Sequence, residues 1–191
     1  PGPSAVDDAT AGDAVGCAQF LRSYGAGGVV GALGAGLVAG VTAGVVPAVV
    51  GLVGDGDVGA AGANAVRLPC DLADSAAIRR MFAQIEKQCN GLDVLVNNAV
   101  FQKEAGFLQI QEQEWDHALA VNLKAPFLCS QLAAGMMIRR GGGRIINIGS
   151  VHEMHCRRFY APYSISKSGL LMLTKCMALE LAEYNIQVNQ V

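Results

Sequence analysis

For its first 66 residues this 191-residue chain has no lysine, glutamate, isoleucine, methionine or histidine, and Arg22 is the only basic residue there. From Ser23 to Gly54 there is no charge of either sign. Gly, Ala and Val make up two thirds of the segment. An uncharged apolar run of roughly 18 residues or more ordinarily raises a transmembrane reading. Here about one residue in three is Gly, Pro47 interrupts, and Leu, Ile and Phe are scarce. Such a helix would be poor and its insertion weakly driven, so no membrane span is expected. Two readings remain: a low-complexity stretch, or a stretch in which small residues stand in for larger side chains. The second is preferred.

Other absences narrow the function. The six cysteines (17, 70, 89, 129, 156 and 176) form no Cys-x-x-Cys pair and no zinc-like spacing. That argues for reduced thiols, against a disulfide framework, and for no metal site. Most of them fall in expected strands or helices, where a free Cys acts as a small buried hydrophobe. A net charge of −2 and a pI near 5.9 give no electrostatic case for nucleic acid or an anionic membrane. Pro1 to Asp8 contains no basic segment leading into an apolar run, so no secretory signal is visible and a cytoplasmic location is expected.

What is there is ordered strand and helix. Beyond residue 66 the pattern alternates, which argues for a doubly wound parallel sheet with helices on both faces, in a single domain spanning 1–191. Strands are expected at Ala65–Cys70, Leu92–Val96, Arg144–Gly149 and Ile186–Val191. The second is apolar enough to be buried on both sides and needs parallel neighbours, so residues 1–66 are expected to supply further strands and helices. Ser75–Gln88 reads as an amphipathic helix with Ile78, Met81, Phe82 and Ile85 on one face. A long helix from about Gln111 to Arg140 ends in Gly141-Gly142-Gly143, as a glycine C-cap prefers. Pro126 lies inside it and removes the i+4 donor of the Asn122 carbonyl, so a kink is expected there. The freed carbonyl either takes a water or is capped in the ordinary way. A last helix, Ala161 to about Glu183, is apolar nearly all round. Its second face implies either a partner or deep burial within one subunit.

Four residues carry the chemistry: Asn122, Ser150, Tyr163 and Lys167. Twelve residues separate Ser150 from Tyr163, and three separate Tyr163 from Lys167. A Tyr and a Lys at i and i+4 share one helix face, about 6 Å apart along the axis. At an effective dielectric near 20, an ammonium at that distance favours a phenolate by about 2.8 kcal/mol, which suits proton exchange with an alcohol. A lone Tyr-x-x-x-Lys occurs by chance on helix surfaces, where it is a tyrosine stacked on a lysine stem. Here it follows Cys70-Asp71-Leu72, Leu92-Asp93-Val94-Leu95-Val96-Asn97-Asn98-Ala99, Asn122 and Ser150 in order.

That order and spacing resemble the short-chain dehydrogenase/reductase family from about Arg67 onward. The resemblance implies a Rossmann-type fold and hydride transfer between NAD or NADP and a small alcohol or carbonyl substrate. It implies that Tyr163 is the general acid/base, that Ser150 orients the reacting oxygen, and that Asn122 holds a water connecting Lys167 to solvent. It implies that Lys167 lowers the tyrosine's proton affinity, with Tyr163 and Lys167 also meeting the nicotinamide ribose. Asp71 and Leu72 match the adenine contact, and Asn97, Asn98 and Ala99 the adenosine side. Asp71 also reads as a helix-capping acid before Ser75. The two long helices would form a homodimer or homotetramer contact. Val151-His152-Glu153 is similar to sugar dehydrogenases of the family, which points to a sugar or polyol. His152, Glu153 and His155 otherwise read as a polar loop, and Arg157-Arg158 as a solvated pair or an anion contact.

The sequence departs from the family in three places. Val100 stands where Gly normally follows Asn-Asn-Ala, and a β-branched residue there crowds the cofactor's approach. The glycine-rich turn has only a partial match, with Gly12 and Gly16 as its candidate cofactor-binding residues and Ala18 in place of the last glycine. A second partial match is Thr42-Ala43-Gly44. After Val191 the family's substrate lid, last helix and last strand are expected and are not in the sequence. Taken literally, the missing turn and lid favour a catalytically inactive oligomeric or binding protein. The complete tetrad favours an enzyme.

Overall fold

Helix formation begins where a side chain can take up an orphan amide. In the computed structural model, which describes residues 37–41, 48–51, 64–89 and 91–191, helix α1 (Ser75–Gln88) starts at Asp74, whose carboxylate accepts from the Ala76 amide at 2.7 Å. Asp71 is therefore not the cap; its Oδ1 accepts from the Ala73 amide at 2.9 Å in a tight turn just upstream. One carboxylate can cap the helix, and Asp74, directly before Ser75, is the one in reach. Ile78, Met81, Phe82 and Ile85 form the buried stripe of α1, as their spacing implies.

The strands are β1 (Leu37–Val41), β2 (Ala48–Gly51), β3 (Asn64–Arg67), β4 (Val94–Asn97), β5 (Gly143–Asn147) and β6 (Ile186–Gln190). They form one sheet in the order β3-β2-β1-β4-β5-β6. The pairs β2–β3, β4–β5 and β5–β6 are parallel, whereas β1 runs antiparallel to both β2 and β4. The expected all-parallel sheet thus carries one inverted strand. Only residues 42–47 join β1 to β2, and a parallel return needs a crossover of about a dozen residues or more. Residues 37–41 and 48–51 of the Gly/Ala/Val-rich segment do enter the sheet as strands; the helices expected from the rest of it lie outside the described residues.

The long helical element is built from three parts. Helix α2 (Glu112–Leu119) leads into a wide π-type turn (Ala120–Lys124), and helix α3 (Ala125–Arg139) follows. In the wide turn the Ala125 amide bonds back to the Ala120 carbonyl, five residues away. The next residue, Pro126, has no N–H to give to Asn122, so the ordinary spacing has already lost its donor there. Helix α3 ends at Arg140: the Gly141 amide bonds to Ile138 O, the Gly142 amide bonds to Met137 O, and Gly141 sits at φ 88. That left-handed position is why a glycine stands there.

The core lies between the sheet and helices α1, α3 and the end of α4 (Ala161–Leu181). Ile85, Leu92, Leu95, Ala133, Met137 and Ile145 have no exposed surface. All four residues of β4 are buried. Because side chains alternate along a strand, its two faces are both covered, as the continuous apolar run requires. Cys89 and Cys129 are buried, and burial pushes the Cys129 thiol up to about 12. Cys176 is exposed on α4, facing away from the core, contrary to the expectation for a cysteine in a regular element; Cys156, also exposed, lies in the loop after Ser150. Among the described residues every cysteine is free.

Truncating a fully buried core side chain removes its transfer energy and leaves a cavity. Ile85→Ala should cost about 2–5 kcal/mol of unfolding free energy. Glu180→Ala, on the exposed side of α4, should change it by less than about 0.5 kcal/mol. Urea denaturation monitored by circular dichroism checks both, and equal midpoints would count against this core.

Candidate functional site

Three strand ends carry amides in one row. Asn97 pairs in register with Asn147, and Asn147 with Gln190, at the carboxyl ends of β4, β5 and β6. Open α/β sheets place their ligand crevice at this edge. Asn97 Nδ2 donates to Asn147 Oδ1 at 2.8 Å and to Ser130 Oγ at 3.1 Å. Asn147 Nδ2 donates to Thr174 Oγ1 on α4 at 2.8 Å. The Thr174 hydroxyl lies 2.8 Å from Gln190 Oε1 and from the Leu170 carbonyl. Gln190 Nε2 donates to Glu153 Oε2, and the same oxygen accepts from the Ser150 amide at 3.2 Å.

Ser150 follows β5 and caps a short helical turn, Val151–Glu153, in a reciprocal capping box. Its Oγ accepts from the His152 amide at 3.2 Å. Accepting there leaves the hydroxyl proton free to be donated elsewhere. Gly149 is held to the smallest residue by this packing: a Cβ would lie 2.6 Å from Glu153 Oε2 and 2.7 Å from Gln190 Nε2.

Three contacts fasten the serine turn to α4. Lys167 Nζ donates to Ile148 O at 2.6 Å, Ser168 Oγ donates to Glu153 O at 2.8 Å, and the His152 ring meets the Tyr163 ring edge-on at 6.0 Å. Lys167 is buried, and desolvation brings its pKa down to about 8, partly opposed by the negative charge of Glu153. Its ammonium lies 5.8 Å from the centroid of the Tyr163 ring. The i, i+4 spacing therefore places cation and phenol side by side.

Asn122 is fully buried in the wide turn, and its side chain works as a clamp. Oδ1 accepts from the Phe101 amide at 2.7 Å; Nδ2 donates to Phe101 O at 2.8 Å and to Ser166 Oγ at 3.0 Å. Ser166 Oγ in turn bonds to Tyr163 O at 2.7 Å. The loop after β4 is thus tied to the helix that carries Tyr163 and Lys167. The structure brings Asn122, Ser150, Tyr163 and Lys167 into one connected cluster.

Of the candidate cofactor residues, Leu72, Asn97, Asn98 and Ala99 line one narrow cleft with Pro126 and Cys129. Asp71, next to Leu72, is exposed. Val100 turns outward and is exposed, so its branched side chain leaves the cleft wall to Ala99. Gly12, Gly16 and the Thr42-Ala43-Gly44 match lie outside the described residues.

Sequence reasoning missed several members of the site. Glu153 appeared as part of a polar loop, although Ser150-x-x-Glu153 has the spacing of a capping box. Tyr160 is buried, donates to Glu104, and packs edge-on to Tyr163 at 6.2 Å. The hydrogen bond that it donates to the Glu104 carboxylate pushes the Tyr160 pKa up. Arg157 stacks over the Tyr160 ring at 4.7 Å and Arg158 over Phe159 at 5.2 Å. Nothing local marks Glu104 or Tyr160, since 56 residues separate them. Among the described residues no group of His, Cys, Asp and Glu could hold a metal ion.

Comparison with known proteins bears on this geometry. Residues 56–191 match the short chain dehydrogenase family. The chain is 41% identical over 128 residues to a 5-keto-D-gluconate 5-reductase of Escherichia coli K12, covering 67% of this chain and 50% of that protein. It is 36% identical over 135 residues to a 3-oxoacyl-acyl-carrier-protein reductase of Staphylococcus aureus, covering 71% and 55%. A solved gluconate 5-dehydrogenase from Burkholderia cenocepacia J2315, in complex with NADP and tartrate, superposes with a TM-score of 0.65 at 37% identity, over 68% of this chain and 51% of that one. The chain spans about half the length of the curated relatives it matches. With Ser150, Tyr163 and Lys167 clustered at the strand ends and the match running over residues 56–191, the chain belongs to the short-chain dehydrogenase family.

Proposed function

We propose that this chain is the catalytic domain of an oxidoreductase using NAD or NADP to interconvert a carbonyl and an alcohol on a small polyhydroxylated acid. The observation that carries the reading is the buried Lys167 beside Tyr163, fastened to the serine turn through Ile148. When bound, the nicotinamide supplies or accepts the hydride. Leu72, Asn97, Asn98 and Ala99 would line its adenosine side, with Asp71 at the rim, while Tyr163 and Lys167 would meet the ribose. Ser150 would donate its free hydroxyl proton to the reacting oxygen, and Tyr163 would pass a proton to or from it. Lys167, an ammonium below about pH 8, would hold the developing phenolate. Asn122 would serve the proton path to Lys167 through its backbone, since its side chain is committed to Phe101 and Ser166.

The substrate class rests on the wall beside Tyr163. His152 and Glu104, the latter held by the buried Tyr160, offer hydroxyl-binding groups, and the exposed Arg157 offers a cation for a carboxylate. The E. coli relative is named for a keto-gluconate, and the Burkholderia structure contains tartrate. Reduction of 5-keto-gluconate by NADPH and by NADH, followed at 340 nm, tests the reading. Tyr163→Phe should lower kcat by about 100-fold or more while dinucleotide affinity stays near wild type, because only the titrating hydroxyl is lost. Lys167→Ala should impair both. Equal loss of dinucleotide affinity in the two variants would contradict these separate roles.

Burial of Lys167 also makes stability depend on pH. Below about pH 8 the lysine is charged in folded and unfolded chains alike, and the burial penalty is fully present. Between about 8 and the unfolded value near 10.4 the unfolded chain holds more protons, so stability rises, by up to about 1.4 kcal/mol per pH unit. Urea midpoints of wild type relative to Lys167→Met should therefore improve from pH 7 to pH 9.5. A difference that stays flat would remove the buried ammonium from the account.

The same reading includes a homodimer or homotetramer through the outer faces of α3 and α4. Phe127, Ile165, Met172 and Leu179 are exposed on these helices, and Leu173 lines an open groove with Phe127. Two-fold packing would bury on the order of 2,000 Å². Leu173→Asp should give monomers or insoluble protein, because a charge on a two-fold face meets its own copy. Sedimentation of the wild-type chain as a stable monomer at micromolar concentration would rule the contact out. Among the described residues no helix is long and apolar enough to cross a membrane.

A further inference from the structure

The side-chain bonds at the strand ends have a direction. Asn97 donates to Asn147, Asn147 to Thr174 and Gln190 to Glu153. Gln190 spends its amide nitrogen on Glu153 and so turns its oxygen to Thr174, whose hydroxyl can donate to it. The Thr174 proton is shared between Gln190 Oε1 and the Leu170 carbonyl, and the acceptor at the end of the series is the Glu153 carboxylate. That carboxylate also receives the Ser150 amide, and its backbone carbonyl receives the hydroxyl of Ser168, the residue after Lys167. Glu153 thus touches β6, α4 and the serine turn at once. A neutral acceptor would hold the bonds from Ser150 and Gln190 less strongly, whereas the Ser168 bond to the backbone carbonyl does not depend on the charge.

We propose that Glu153 is a positioning residue of the reaction: its carboxylate fixes the Ser150 backbone relative to β6 and, through Gln190 and Thr174, relative to α4. The proposal deepens the oxidoreductase reading and rests on it for its kinetic part. The groups that bear on Lys167 are Tyr163 on its own helix, the Ile148 carbonyl after β5, and Glu153 from the serine turn. Those around the Glu153 carboxylate are Gln190 of β6 and the Ser150 amide, and its negative charge partly opposes the desolvation of Lys167. Removing the anion favours the neutral form of Lys167, so the alkaline limb of activity must move to lower pH.

Two substitutions separate charge from geometry. Glu153→Gln keeps an oxygen for Ser150 and Gln190 but loses the charge. It should keep KM near wild type and shift the alkaline limb of the kcat profile downward. Glu153→Ala loses both, and should lower kcat by about 100-fold, the scale of a small misplacement, with the dinucleotide KM changed less than about threefold. A purely structural role would instead leave the pH profile in place and move kcat and KM together with the melting temperature, and that result would overturn the proposal. Amide hydrogen exchange gives a readout that needs no turnover. The Ser150 amide should exchange at least about tenfold faster in Glu153→Ala than in wild type, and slightly faster or unchanged in Glu153→Gln. If wild type reduces no substrate, the oxidoreductase reading fails on its own, and exchange at Ser150 decides the positioning claim; unchanged protection in Glu153→Ala would then sink it.

Discussion

The site depends on burying polar groups that satisfy one another. Asn97, Asn147 and Thr174 are almost without exposed surface, and a buried amide left unpaired would cost on the order of 1–3 kcal/mol. Each finds its partner on a different element: β4 with β5, β5 with α4, α4 with β6, and β6 with the serine turn. The strand register makes this possible by setting Asn97, Asn147 and Gln190 side by side. A slip of one residue in any pair would turn an amide to the other face and break the series. The register that builds the sheet thereby also sets the site.

The same logic holds the charged part. Lys167 has little contact with water, and a buried ammonium persists only with acceptors at hand. Ile148 O is one, at the point where the chain leaves β5 for Ser150. A side chain of α4 is thus satisfied by the backbone that leads to the serine, and the tyrosine, one turn earlier on α4, is carried into place with it. On the other side Asn122 uses its whole amide to join the loop after β4 to Ser166 and, through it, to the Tyr163 carbonyl.

What was legible in the sequence was local. The stripe Ile78, Met81, Phe82 and Ile85, the glycine stop after Arg140, and the Tyr163–Lys167 spacing all follow from the period of one helix. The loss of the Asn122 carbonyl's donor followed from Pro126 alone, although it takes the form of a wide turn. The direction of β1 was not legible, because it depends on a six-residue connection and not on any pattern within the strand. Asp71 and Asp74 lie within one turn of each other, and only the helix's actual first residue decides which of them caps it. The network at the strand ends joins residues 50 positions apart, as in Asn97 and Asn147, so no window along the chain contains it. Even the Ser150–Glu153 capping box, which is local, is silent about Gln190.

The wide turn at Ala120–Lys124 also works as a phase shifter. An α-helix advances by about 100° per residue, so one extra residue in a turn rotates everything after it by about that angle relative to everything before. An uninterrupted helix of this length would present one stripe to one neighbour. With the turn in place, α2 lies against α4, whereas α3 lies mainly against α1 and the strands β4 and β5, with a smaller contact to α4 and β6. One helical element thereby serves two surfaces, and Asn122 stands at the residue where the allegiance changes.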